Sequence, residues 1–415
     1  MNRLPYIAIV GLSVIVSACL GFLGCQGDPY SPVIGLPRDL TPTENRLIES
    51  DNNFGFKLFR EINKSEGDKN IFISPLSVSM ALGMAVNGAA GETETAMRNT
   101  LELAGLSLGE INESYQGLIK LLTELDPEVA FRIANSIWYR QGYAFEQTFL
   151  DINRKYFNAE VAGLDFDDPK SVDTINSWVD ENTNGKIEEI IDSIDPMDIM
   201  FLINAIYFKG TWTSEFNEDE TKDDEFTRLD GSKTPCKMMI QTGDFEYFSN
   251  DDFQAVNLPY GDGEFSMTVI LPYEGTDINE LVGNMDGGQW DSWLNGLAEQ
   301  SVTIELPRFK LEWELKLNDV LQALGMSVAF SGEADFTKMY KPGGIYIDEV
   351  RHKTFVEVNE EGTEAAAVTI IKMRDSAGGV SPMYMRVDRP FLFVIHENFS
   401  QTILFVGKIV EPQSD

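Results

Sequence analysis

Apolar residues recur at helical spacing through much of the first half of the chain and at alternate positions in much of the second. Phe54, Leu58, Phe59 and Ile62 predict a helix over residues 53–63. Ser74 as cap and Pro75 at the first position open another. It runs to about Ala89 and is apolar nearly all round, as a core helix is. Short amphipathic helices are expected from Gly91 and over 111–123. A strand over 130–139, a helix over 145–156 and a short strand over 161–166 follow. Val172, Ile175, Trp178 and Val179 put a stripe on a helix over 170–182. Residues 201–208 read as a strand buried on both faces. Gly261-Asp262-Gly263 joins two strands into a hairpin. Residues 301–311 are strand-like, and 317–324 form a helix closed by Gly325. Residues 391–396 and 403–410 are the last buried strands. Helices first and strands later argue for an α+β fold.

One stretch breaks these rules. Thr354, Val356 and Val358 alternate as a strand does. Then come Glu360, Glu361, Gly362, Thr363 and Glu364, followed by Ala365, Ala366, Ala367 and Val368. The run is too apolar for an ordinary surface loop and too rich in alanine for a settled core strand. It suits a segment exposed in one state and threaded into a sheet in another, with Thr363, Ala365, Ala367 and Thr369 on one face. The residues alone also allow an alanine-rich helix start, with Glu361 and Glu364 at its positive end. A Ser/Gly/Pro-rich segment follows over 375–382, then Met385 to Ile395.

Taken together, Val358 to Ile395 resembles the reactive-centre region of a serpin. Phe72 to Ser77 with Asn87-Gly88-Ala89, Thr183 to Ile187, Asn204 to Trp212, and Asp230 to Pro235 with Met238-Met239 resemble further family signatures. The resemblance spans about residues 43–412. It implies one domain (44–415) with a large central mixed β-sheet, further sheets, eight to nine helices and an exposed reactive-centre loop. It implies inhibition of a serine or cysteine protease, serine most of all, by loop insertion after cleavage. Residues 360–368 would be the hinge. Ser74, Ser77, Asn204 and His352 would control sheet opening, with His352 bonded to Asn204. Glu360 would meet Arg308 near Trp212 at the top of the sheet. Before cleavage, Thr363 would stand at the mobile top of the loop.

The family's spacing from Glu360 puts the scissile bond at Ser376-Ala377. Composition favours Arg374, although Asp375 follows it, and Met373 is the third candidate. The protein would be a monomer with polymerisation as its failure mode. The alternatives are a serpin-fold protein that binds without inhibiting, and an exported lipoprotein with a small ligand.

Composition narrows the partners. The chain has 415 residues and a net charge of -35, which disfavours nucleic acid and a polybasic membrane patch. Such acidity serves solubility or attracts a basic partner. Only His352 and His396 could supply imidazole, and Cys236 is the only cysteine after residue 25, so no cofactor or metal centre is expected. Gly105-Leu106-Ser107-Leu108-Gly109 matches the nucleophile-elbow pattern but follows a helical segment rather than a strand. Arg3 and the apolar run after it read as an export signal. Cys19 or Cys25 would be lipidated, residues 1–25 being signal and 26–43 a tether. An uncleaved membrane helix is the alternative.

Overall fold

The computed structural model describes residues 36–363 and 382–413. The residues called as signal and tether up to position 35, and those from Glu364 to Ser381, lie outside the described residues.

The first helix, Pro42–Ser65, begins well before its apolar stripe. Thr41 Oγ accepts from the Glu44 amide (3.2 Å), and the Glu44 carboxylate accepts from the Thr41 amide (2.8 Å). Pro42 fills the first position, where its missing N–H costs nothing. Helix Pro75–Val86 is buried except at Ala81. Leu108–Thr123 begins with the same capping box: Ser107 Oγ accepts from the Glu110 amide, and Glu110 answers the Ser107 amide. That cap accounts for the Gly-Leu-Ser-Leu-Gly pattern. It joins two helices rather than a strand to a helix, as a nucleophile elbow would.

The six-stranded sheet has the order Phe309–Lys316, Arg351–Val358, Gly362–Thr363, Met200–Thr211, Val129–Arg140, Glu160–Leu164. Its pairs are antiparallel except the last, which is parallel. The nine-stranded sheet includes Phe391–Glu397 and Ile403–Ile409, fully buried, and the hairpin Phe253–Tyr260 with Phe265–Pro272.

Two expected strands differ. Residues 301–311 are not one strand: Ala298–Pro307 belongs to the nine-stranded sheet and Phe309–Lys316 to the six-stranded one. Pro307 cannot donate to a continuing ladder, and the Arg308 amide turns to Lys237 O (2.8 Å). Arg308 thus stands at the corner between the sheets. Met200–Thr211 is not buried on both faces; alternate residues are half-exposed because a cavity opens beside them.

Between helices Pro42–Ser65, Pro75–Val86 and Leu108–Thr123 lies a buried polar triad. Asp51 Oδ1 accepts from Ser79 Oγ (2.7 Å) and from the Tyr115 hydroxyl (3.0 Å), while Oδ2 has no partner among the described residues. Burial pushes the Asp51 carboxyl up to about 7 against those two hydrogen bonds. A carboxyl that holds its proton more tightly when folded stabilises the fold fully below its unfolded pKa of 3.8. That contribution is lost as pH rises through about 7. Asp51→Asn should therefore melt less pH-dependently than wild type. Its advantage in melting temperature should grow between roughly pH 4 and pH 7; parallel curves would mean that the carboxyl does not titrate in this window.

Candidate functional site

The unusual stretch begins as an inward-outward strand. His352, Thr354, Val356 and Val358 are buried, and the residues between them are half-exposed. The chain then reverses over Asn359 to Gly362. The Asn359 amide donates to Gly362 O (3.0 Å), and Asn359 Oδ1 accepts from the amides of Glu361 and Gly362. Gly362 and Thr363 enter between two strands: Thr363 pairs with Val358 on one side and Gly210 on the other. The Gly362 backbone runs so close to its neighbour that a Cβ there would lie 2.1 Å from Gly210 O. Glycine is required by that approach, as well as by a φ of 150°.

Thr363 is therefore not at a mobile loop top. It is 3% exposed, and its hydroxyl lies 2.6 Å from the Tyr260 hydroxyl. The reason is the tight turn at Asn359, which returns the chain into the sheet at once. Tyr260 in turn stacks on Trp212 at 4.4 Å between ring centroids, and burial pushes its phenol well up, keeping it neutral.

Glu360 does not form a merely exposed pair. Its side chain is 2% exposed, with Arg308 Nε at 2.6 Å and the Thr221 hydroxyl also donating to it. Arg308 is about one-third exposed, so solvent screens the pair from one side. Backbone contacts complete the clamp. Trp212 N donates to Glu361 O (2.8 Å), Trp212 Nε1 to Asn359 O (3.0 Å) and Phe216 N to Glu360 O (2.9 Å). Burial raises the Glu361 carboxyl and Glu218 adds to the effect. Thr221 and Tyr260 carried no local signal as hinge partners, because both reach the hinge from segments distant in sequence.

Below Thr363 the sheet is not filled. A cavity of about 800 Å³ lies along strand Met200–Thr211 and the segment leading to His352, floored by Ser77, Val78, Ala81 and Leu82. Ser74, Asn204 and His352 also line it. The expected bond between His352 and Asn204 is not made. His352 Nε2 accepts from the Ser74 amide (2.9 Å), so its proton sits on Nδ1. Asn204 donates to Asn135 Oδ1 (2.8 Å), its own Oδ1 has no partner among the described residues, and Ser77 Oγ donates to Asn204 O (3.4 Å). The Ser74 amide lies free at the start of a helix, where it needs an outside acceptor, and the imidazole supplies one. Burial lowers His352 to about 4, so it is neutral at physiological pH.

Glu364, Ala365, Ala366, Ala367 and Val368 of the hinge lie outside the described residues. So do Met373, Arg374, Asp375, Ser376 and Ala377 at the scissile region, and Cys19 and Cys25. Among the described residues no three His, Cys, Asp or Glu side chains gather to hold a metal ion.

A family model described as Serpin (serine protease inhibitor) matches residues 49–412. The chain belongs to the serpin family. Human neuroserpin is 33% identical over 368 residues, covering 86% of this chain and 90% of neuroserpin. Among solved serpins, the thermophilic tengpin in its native state superposes with a TM-score of 0.81 at 32% identity, covering 90% of this chain and 95% of tengpin. Human thyroxine-binding globulin gives 0.81 at 28% identity, covering 90% and 100%. Serpins are in general protease inhibitors rather than catalysts, and the family makes a protease the natural partner of this serpin.

His352→Ala should leave the buried Ser74 amide without its acceptor, at a cost of ~1–3 kcal/mol. The variant is expected to melt several degrees lower and to form polymers on mild heating. Wild-type monomer content after the same heating, read by size-exclusion chromatography, would show that the imidazole only fills space.

Proposed function

We propose that this serpin is exported, held at the cell envelope through a lipidated Cys19 or Cys25, and traps serine proteases irreversibly with its own loop. The export signal and the scissile candidates come from the sequence. What supports trapping is one observation: Gly362 and Thr363 are already paired on both sides at the head of an unfilled slot.

The chemistry belongs to the protease. Its nucleophile adds to the carbonyl carbon of the scissile bond. The peptide C–N bond breaks, the amine side leaves with a proton, and an ester or thioester joins the loop to the protease. The loop is then free beyond Thr363. Keeping the present register, each further residue pairs one step lower on both neighbours. Six residues beyond Thr363 is Thr369, six before Gly210 is Asn204, and six before Val358 is His352. Thr369 would thus arrive between an unpartnered amide oxygen and a ring N–H, and its hydroxyl can serve both. Each ladder bond formed contributes about 1 kcal/mol net. The gain therefore accumulates as the strand lengthens and carries the attached protease with it, in the manner of serpin loop insertion.

Thr363→Arg tests this reading. A guanidinium would replace a hydroxyl that is buried against Tyr260, with no carboxylate in contact with that hydroxyl. The intact variant should melt lower than wild type, since the position is already inside the sheet. Incubated with a panel of serine proteases, wild type should give a covalent adduct on denaturing electrophoresis. The variant should be cut at the same bond and release active protease. Clean cleavage of wild type without adduct would instead favour a binding protein in the manner of thyroxine-binding globulin. An Arg variant that still traps one-to-one would exclude insertion led by Thr363.

A further inference from the structure

The hinge hangs on Tyr260, and Tyr260 ends a strand whose turn holds two facing carboxyl groups. The turn, Gly261 to Glu264, is fastened to the end of strand Met200–Thr211: the Gly261 amide donates to Thr211 O (2.9 Å), and the Thr213 hydroxyl to Gly261 O (2.8 Å). From the other side comes Asp126, 7% exposed. Its Oδ1 accepts from the Glu128 amide (2.8 Å) and its Oδ2 from the Asp262 amide (3.1 Å). The fit is close: a Cβ on Gly261 would lie 2.4 Å from Asp126 Oδ2.

Glu264 meets this carboxylate. Its Oε2 is buried and has no donor among the described residues. A protonated Glu264 can donate to Asp126; an ionised one can only repel it. Two acidic groups face Glu264: Asp262 in its own turn and Asp126 from the segment ahead of strand Val129–Arg140. Asn398, which is neutral, donates its backbone amide to Glu264 O (2.8 Å).

We propose that a proton held on Glu264, facing Asp126, sets how firmly the hinge strand is held, so that the sheet parts more easily once that proton is lost. The path is short and covalent. Loss of the proton sets two carboxylates against each other at the turn. The turn moves off the 126–129 segment, and the strand end carrying Tyr260 moves with it. Tyr260 then loses its stack on Trp212 and its bond to Thr363. Burial, with Asp126 adding to it, pushes Glu264 up to about 7. A group raised in the closed state stabilises that state fully below its ordinary range of about 4.5, and loses that effect as pH rises through about 7. The device thus loosens toward neutral and alkaline pH. It rests on the reading of Gly362–Thr363 as the moving part but not on any protease.

Hydrogen exchange of the peptide containing Gly362 and Thr363, corrected for the intrinsic pH dependence, tests it on the full chain. Between about pH 5 and pH 7, wild-type protection should fall by up to roughly tenfold per pH unit relative to Glu264→Gln. The Gln variant keeps the shape and a hydrogen-bond donor but cannot ionise. Asp126→Asn, which removes the repelling partner but leaves Glu264 buried, should flatten the profile in part. A wild type that runs parallel to both variants overturns the proposal. If neither variant folds, the pair is a structural requirement and the proposal also falls. Because no protease is present, a missing covalent adduct would count against trapping and not against this switch.

Discussion

Everything distinctive in this molecule depends on two residues of backbone wedged between two strands that are otherwise parted. Gly362 and Thr363 pair with strands Met200–Thr211 and Arg351–Val358 at the top of the six-stranded sheet. Below them the sheet stays unfilled over a cavity of about 800 Å³. Unpaired strand edges and exposed apolar lining are costly, and most folds close them. Here they are held open by what surrounds the wedge: the Asn359 turn, the buried Glu360 with Arg308, the Trp212–Tyr260 stack, and glycine at both points of closest approach. The close contact of Gly362 with Gly210 leaves no room for a side chain between the strands. That tightness registers the strand before any further pairing occurs.

The fold as a whole balances opposing titrations. His352 is buried and neutral beneath the slot, and His396 is neutral in the core, both lowered to about 4 by burial. Each depressed pKa makes the fold lose stability as pH falls from about 6.5 through about 4. Asp51 and Glu264, raised to about 7, act with the opposite sign over much of that range. The native state is therefore set by buried proton choices on both sides of neutrality. The large acidic surface excess of the chain adds self-repulsion that favours looser states.

Much of this was legible in residues. The alternation of Thr354, Val356 and Val358, broken by two glutamates and a glycine, marked where a strand ends and turns. Resemblance to serpins then paired Glu360 with Arg308 near Trp212, and the structure places these three together. Four features were not legible, each for a physical reason. Residues 301–311 look like one strand because both halves alternate; the switch of sheets at Pro307-Arg308 shows only in three dimensions. Asn204 and His352 line the same slot, yet their polar atoms find nearer partners in Asn135 and the Ser74 amide. The burial of Thr363 came from a reversal too tight for composition to announce. Tyr260 and Thr221 reach the hinge across long sequence separations, which local patterns do not encode. The early start of the first helix was written plainly in Thr41-Pro42-Thr43-Glu44, but it lies ahead of the apolar stripe.

If the slot below Thr363 is room kept for the rest of the loop, cutting that loop should complete the sheet. Purified protein nicked within residues 373–377 by a protease it does not trap can be compared with intact protein by differential scanning calorimetry. Insertion would add a full central strand, cover the cavity and satisfy Asn204 and His352. The account predicts a large upward shift of the melting temperature on cleavage, with both fragments remaining associated. A nicked protein that melts at or below the intact temperature would contradict it.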